Sequence, residues 1–198
     1  MSPQMRTSCA EDAACEVTNM STRGCIARLE KISPLEFRGV YHHWDSYPSG
    51  LGQTLFQARN QAFGKDTEAM LKALVDQHPA GWSTIVGRTF AHMSGDGNSK
   101  AQRRRYRGDE PQCYCHGNRQ EPGWLVTQAN AAGSGVEYAY AFDGSKMFVL
   151  ASFRRDGSKM VGMFGTGDPE AGWSVIASVD LDGPEPDWSA MEMMALQY

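Results

Sequence analysis

The sequence predicts an α+β fold: an antiparallel sheet made of an N-terminal hairpin and a C-terminal meander, with about two helices packed on one face. Three observations predict it. Apolar residues alternate with period two over Gly24–Glu30 and again over Val136–Phe142, as strands with distinct faces require. Between these segments Met70, Leu71, Leu74 and Val75 fall at helical spacing. The pentapeptide Asp-Gly-Ser-Lys-Met occurs at 143–147 and again at 156–160. Each Asp-Gly signals a tight hairpin, because glycine accepts the positive φ such turns demand. Strands, then helices, then strands, without βαβ alternation, read as an antiparallel sheet with helices on one side.

In chain order, residues 1–19 are polar and small and carry no hydrophobic period, so they read as a disordered leader. Translation starting at Met20 would explain the abrupt change there. Gly24–Glu30 places Cys25, Ala27 and Leu29 on one face and Ile26 and Arg28 on the other. Lys31–Pro34 is a turn, and Glu36–His42 is the return strand of the hairpin. Trp44–Gly52 contains Pro48, Gly50 and Gly52 and reads as an irregular loop leading into a helix. A first helix covers about Gln53–Ala62. A second runs from a cap at Asp66 or Thr67 to about Gln77, and Pro79-Ala80-Gly81 ends it.

Trp82–Phe90 is read as a short strand. A loop over about 93–121 has no period, and a loop that long within one domain is functional or disordered. The meander then comprises Val136–Phe142, Met147–Phe153, Lys159–Phe164 and Val175–Asp180. The domain is expected to span 20–182, with a tail at 183–198 in which Met191–Tyr198 forms a short closing helix.

A chain of 198 residues with 41% hydrophobic and 21% charged residues has the composition of a globular domain. No apolar run approaches the roughly 18 residues a membrane span needs. Five cysteines and no secretory signal pattern at the start point to a cytoplasmic protein with free or metal-bound thiols. The net charge of −4 does not suggest a polyanion partner for the whole molecule.

Three segments could carry chemistry. In an extended strand His43 and Asp45 would share a side, and Asp45 could orient the imidazole as a general base or metal ligand, with Trp44 and Tyr47 as aromatic walls. Alternatively, Asp45 caps the turn while Trp44 and Tyr47 pack the core. Cys113, Cys115 and His116 offer soft thiolates and an imidazole suited to tetrahedral zinc. A fourth ligand would come from His42, His43, His92 or Cys25; otherwise this segment is a solvent-facing turn. Arg103, Arg104, Arg105 and Arg107 surround Tyr106, a composition that suits phosphate contact with base stacking. They could equally dock on the acidic segment from Gly165 onward. The chain contains no phosphate-binding Gly-x-x-x-x-Gly-Lys-Ser/Thr loop, no Gly-x-Ser-x-Gly elbow and no His-Glu-x-x-His helix, and Gly162–Gly167 reads as a turn.

Met20-Ser21-Thr22-Arg23 and the segment His43-Trp44-Asp45-Ser46-Tyr47-Pro48 resemble an uncharacterised family of bacterial and bacteriophage proteins. These typically start Met-Ser-Thr-Arg and carry His-Trp-Asp-Gly-Tyr-Pro. Ser46 stands where that family has glycine, and Glu137–Asp143 is similar to a later strand of it. The likeness covers about residues 20–78 and 136–182. It implies relatives on mobile elements and no defined activity. The expectation is a small cytoplasmic accessory protein that binds a ligand or macromolecule. The alternatives are a zinc-dependent hydrolase or nuclease built on His43 and Asp45 with the Cys113–His116 cluster, and a nucleic-acid-binding module acting through Arg103–Arg107.

Overall fold

A computed structural model describes residues 22–85, 111–115, 122–131, 134–153 and 172–195. Strand β1 (Gly24–Ile32) turns at Ser33–Pro34 into β2 (Leu35–His42), and the two pair antiparallel with Cys25 opposite Tyr41 and Ala27 opposite Gly39. A wide helical turn at Pro48–Gly52 leads directly into α1 (Gln53–Gln61). Helix α2 (Thr67–Leu71) continues through wider turns at Lys72–Asp76. Asp66 caps it, its Oδ1 accepting the Ala69 N–H at 2.8 Å, as the sequence suggests. The remaining elements are β3 (Trp82–Thr84), β4 (Gln112–Cys113), β5 (Val126–Thr127), β6 (Tyr138–Asp143), β7 (Lys146–Phe153), β8 (Gly172–Asp180) and α3 (Trp188–Ala195).

The eight strands among the described residues form one sheet, ordered β4-β3-β2-β1-β6-β7-β8, with β5 also on β2. The α+β class holds, but the sheet is mixed. β1 runs parallel to β6, with Ile26 opposite Tyr140, and β2 runs parallel to β3. Sequence reasoning pairs consecutive strands through their turns, whereas β1 and β6 meet across most of the chain. β6 up to Phe142 and the first four residues of β1 are buried on both faces, as inner parallel strands are. The Asp143-Gly144 turn forms with Gly144 at φ +54° and joins β6 to β7. The other edge of β7 pairs antiparallel with β8. The expected strand Lys159–Phe164, the second Asp-Gly turn and Gly162–Gly167 lie outside the described residues, as do residues 1–19 and Met20.

The faces follow the alternation read from the sequence. Ile26, Tyr138, Tyr140 and Phe142 share a core with Leu55, Phe56, Met70, Leu74 and Trp188 of the three helices. Cys25, Ala27, Ala139 and Ala141 form a second cluster with Phe37, Val126 and Leu150. Helix α3 begins earlier than expected, and its Trp188 is buried in the first core. Residues 188–195 are therefore part of the fold, not a tail. No helix among the described residues is long and apolar enough to cross a membrane.

Arg59, which is 4% exposed, ties α1 to the segment after β8. Its guanidinium donates to Leu181 O at 2.8 Å, to Asp182 Oδ1 at 2.9 Å and to Thr67 Oγ1 at 3.0 Å. Replacing Arg59 with alanine strips a buried carbonyl of its donor. It should cost about 2–3 kcal/mol, read as a lower urea midpoint at unchanged slope.

Candidate metal centre

The sheet edge β2–β3–β4 assembles a group of soft donors. His42, Trp82 and Cys113 lie side by side across the three strands, so their side chains share one face. α2 ends just before His78-Pro79, where proline disfavours helical backbone in the preceding residue, and Gly81 N–H donates to His78 O at 2.8 Å to close a turn. This turn is held against the segment after β4. Tyr114 N–H donates to Gly81 O at 3.0 Å, and Ala80 N–H donates to Cys115 Sγ at 3.2 Å.

As a result His78, Cys113 and Cys115 each present a ligand atom within 4.8 Å of the other two. His78 is 2% exposed, with its ring 4.3 Å from that of Trp82; the two cysteines are half-buried. Trp82 is anchored in turn, its Nε1–H donating to Leu74 O at 2.7 Å. Two thiolates and an imidazole are the donor set of a borderline-soft ion such as zinc. Bonds of about 2.3 Å to sulfur and about 2.0 Å to nitrogen require only a modest contraction of the group. The N–H donated to Cys115 Sγ is the kind of outer contact that orients a ligand.

Cys113 and Cys115 were legible from the sequence as a soft pair; His78 was not. Its only local signal is its position at a helix end before proline, and the turn's packing on β4 makes it a neighbour. His116, His92, Arg103, Arg104, Arg105 and Arg107 lie outside the described residues. Among the other proposed fourth ligands, Cys25 belongs to the cluster on the opposite face, where burial pushes its thiol pKa far up.

The His-Trp-Asp segment is arranged differently from an extended strand. β2 stops at His42, and Asp45 adopts φ +53°, a conformation short polar side chains tolerate. The alternation that would align His43 with Asp45 therefore ends before Asp45. His43 Nδ1 lies 2.7 Å from the Tyr41 hydroxyl, and neither His43 nor Asp45 belongs to the soft-donor group. The turn closes through backbone, Leu51 N–H donating to Asp45 O at 2.9 Å. Trp44 is exposed, whereas Tyr47 packs on the helix-side core.

Ser46 is fully buried. Its Oγ lies 2.7 Å from His42 Nδ1, and its carbonyl accepts the Tyr140 O–H at 2.8 Å. No family model, curated protein or solved structure matches this chain.

Proposed function

We propose that this chain is a zinc-binding accessory protein whose ion, held by His78, Cys113 and Cys115, fastens the edge strand β4 to the turn after α2. The convergence of these three donors within 4.8 Å carries the reading. A binding role is favoured over the hydrolase reading built on His43 and Asp45 because neither belongs to the donor group and His43 is engaged by Tyr41. A mobile-element origin rests on the resemblance carried by Met20–Arg23 and His43–Pro48.

Protein purified without added metal should contain about one zinc per chain by elemental analysis. The Cys113→Ser/Cys115→Ser variant should lose that zinc while remaining folded, since both side chains are half-buried. Cobalt-loaded wild type should show thiolate charge-transfer bands that the double variant lacks. Equal metal content in the two proteins would sink the assignment.

A further inference from the structure

The soft donors sit at a lightly held edge of the sheet. Strand β4 is two residues long and pairs with β3, which has three. β3 joins β2 at the Cα pair His42–Trp82, supported by the His43 and Trp44 N–H groups donating to Trp82 O at 3.0 Å and Ser83 O at 3.3 Å. β4 is fastened to the turn after α2 by the Ala80 N–H on Cys115 Sγ and the Tyr114 N–H on Gly81 O. An edge held by so few backbone bonds opens at low cost. The chemical state of its two thiols therefore weighs heavily on whether it stays closed.

The same two sulfurs are placed to bond to each other. They lie no more than 4.8 Å apart, a gap that side-chain rotation and a small backbone shift would close to the about 2.05 Å of a disulfide. Cys113 ends β4, and the chain bends at Tyr114 and Cys115, so the pair spans a bend instead of a straight strand. Both side chains are half-buried and within reach of a small oxidant. Cys25, by contrast, is fully buried in the cluster on the other face.

We infer that Cys113 and Cys115 are a site of oxidative modification by peroxide, closing a disulfide that expels the ion and unfastens β4 from the turn after α2. One thiolate attacks a peroxide oxygen, breaking the O–O bond; it becomes a sulfenic acid as hydroxide leaves. The second thiolate attacks that sulfur, forming the S–S bond and expelling a second hydroxide. Two protons from solvent convert both hydroxides to water. Peroxide is thus reduced by two electrons and the thiolate pair oxidised by two. Of the three donors the ion then keeps His78, because ligation requires thiolate sulfur, and it departs to solvent. Tyr114 lies between the two cysteines, its ring 6.4 Å from Tyr41, which is 6.0 Å from Trp124. Opening the edge parts Tyr114 from these rings. Release of the ion rests on the metal reading; closure of the disulfide does not.

The test takes full-length protein purified under reducing conditions, records its zinc content, removes the reductant and adds hydrogen peroxide. Remaining thiols are then alkylated and the protein is digested with trypsin. The peptide Gly108–Arg119, which contains both cysteines, should escape alkylation and weigh two hydrogens less than the dithiol form. Zinc, followed with a chromogenic chelator, should appear in solution in step with that disulfide, and dithiothreitol with added zinc should reverse both changes. Amide hydrogen exchange should rise on oxidation over residues 78–82 and 112–114 and stay unchanged in β6 and β7. Three results would overturn the proposal: sulfinic or sulfonic acids at these positions in place of the disulfide, joining of either cysteine to another one in the chain, or a disulfide that forms with exchange over 78–82 unaltered. Zinc that stays bound after the disulfide has closed would also count against it. A protein that forms the disulfide but held no zinc beforehand would overturn the metal reading and the ion-release step, and would uphold the oxidation site.

Discussion

Gly39→Val should abolish folding, and Gly39→Ala should cost about 3 kcal/mol or more. Gly39 lies in the middle of β2, opposite Ala27 of β1 and Val126 of β5. A Cβ added there would stand 2.6 Å from Ala27 Cα and closer still to the Ile26 carbonyl oxygen. Both obstacles are backbone of a strand buried on both faces, so neither can swing aside as a flexible side chain would. Relief requires parting β1 from β2, which lie at the centre of the sheet. Overpacking usually costs about 1–3 kcal/mol, and a rigid cross-strand obstacle belongs at the upper end or beyond. Soluble yield and the thermal transition followed by circular dichroism measure the effect. A Gly39→Ala protein melting within about 2 °C of wild type would contradict this close approach.

The second large effect is loss of stability in mild acid through His42. Burial, with a smaller contribution from His43, lowers its pKa from 6.5 to about 3, so the folded protein keeps the ring neutral. The unfolded chain protonates the same ring near pH 6.5, and between the two values it binds more protons than the folded state. Stability therefore rises with pH through this window. It is fully present above about pH 6.5 and falls by about 1.4 kcal/mol for each unit toward pH 3. Ring protonation in the fold is opposed because His42 is 2% exposed, and among the described residues its Nε2 has no hydrogen-bond partner.

The contrast to measure is wild type against His42→Asn, both in the Cys113→Ser/Cys115→Ser background so that metal release does not contribute. Urea denaturation from pH 7 to pH 4.5 should show a steeper loss with His42 present, by about 2–3 kcal/mol over the range. Parallel curves would show that the imidazole is not held neutral.

The burial of Ser46 also has a local explanation. The serine side chain is accommodated because position 24 lacks one: a Cβ on Gly24 would lie 2.6 Å from Ser46 Cβ. The positive φ of this turn falls one residue earlier, on Asp45. The sequence shows the serine but not the strand that makes room for it.

Local chemistry and periodicity were readable from the sequence alone. The β1–β2 hairpin and the two faces of β1, the Asp66 cap, and the Gly144 turn are all properties of neighbouring residues, set by side-chain alternation, hydrogen bonding to nearby N–H groups and φ preference. So was the softness of Cys113 and Cys115. What only the tertiary structure decided is every meeting between distant segments: the parallel pairing of β1 with β6, the direct pairing of β7 with β8, the arrival of His78 beside the two cysteines, and the gathering of Trp124 and Tyr114 around Tyr41. These contacts follow from how the whole chain buries its apolar faces at once. A residue's own neighbourhood in sequence carries no record of that.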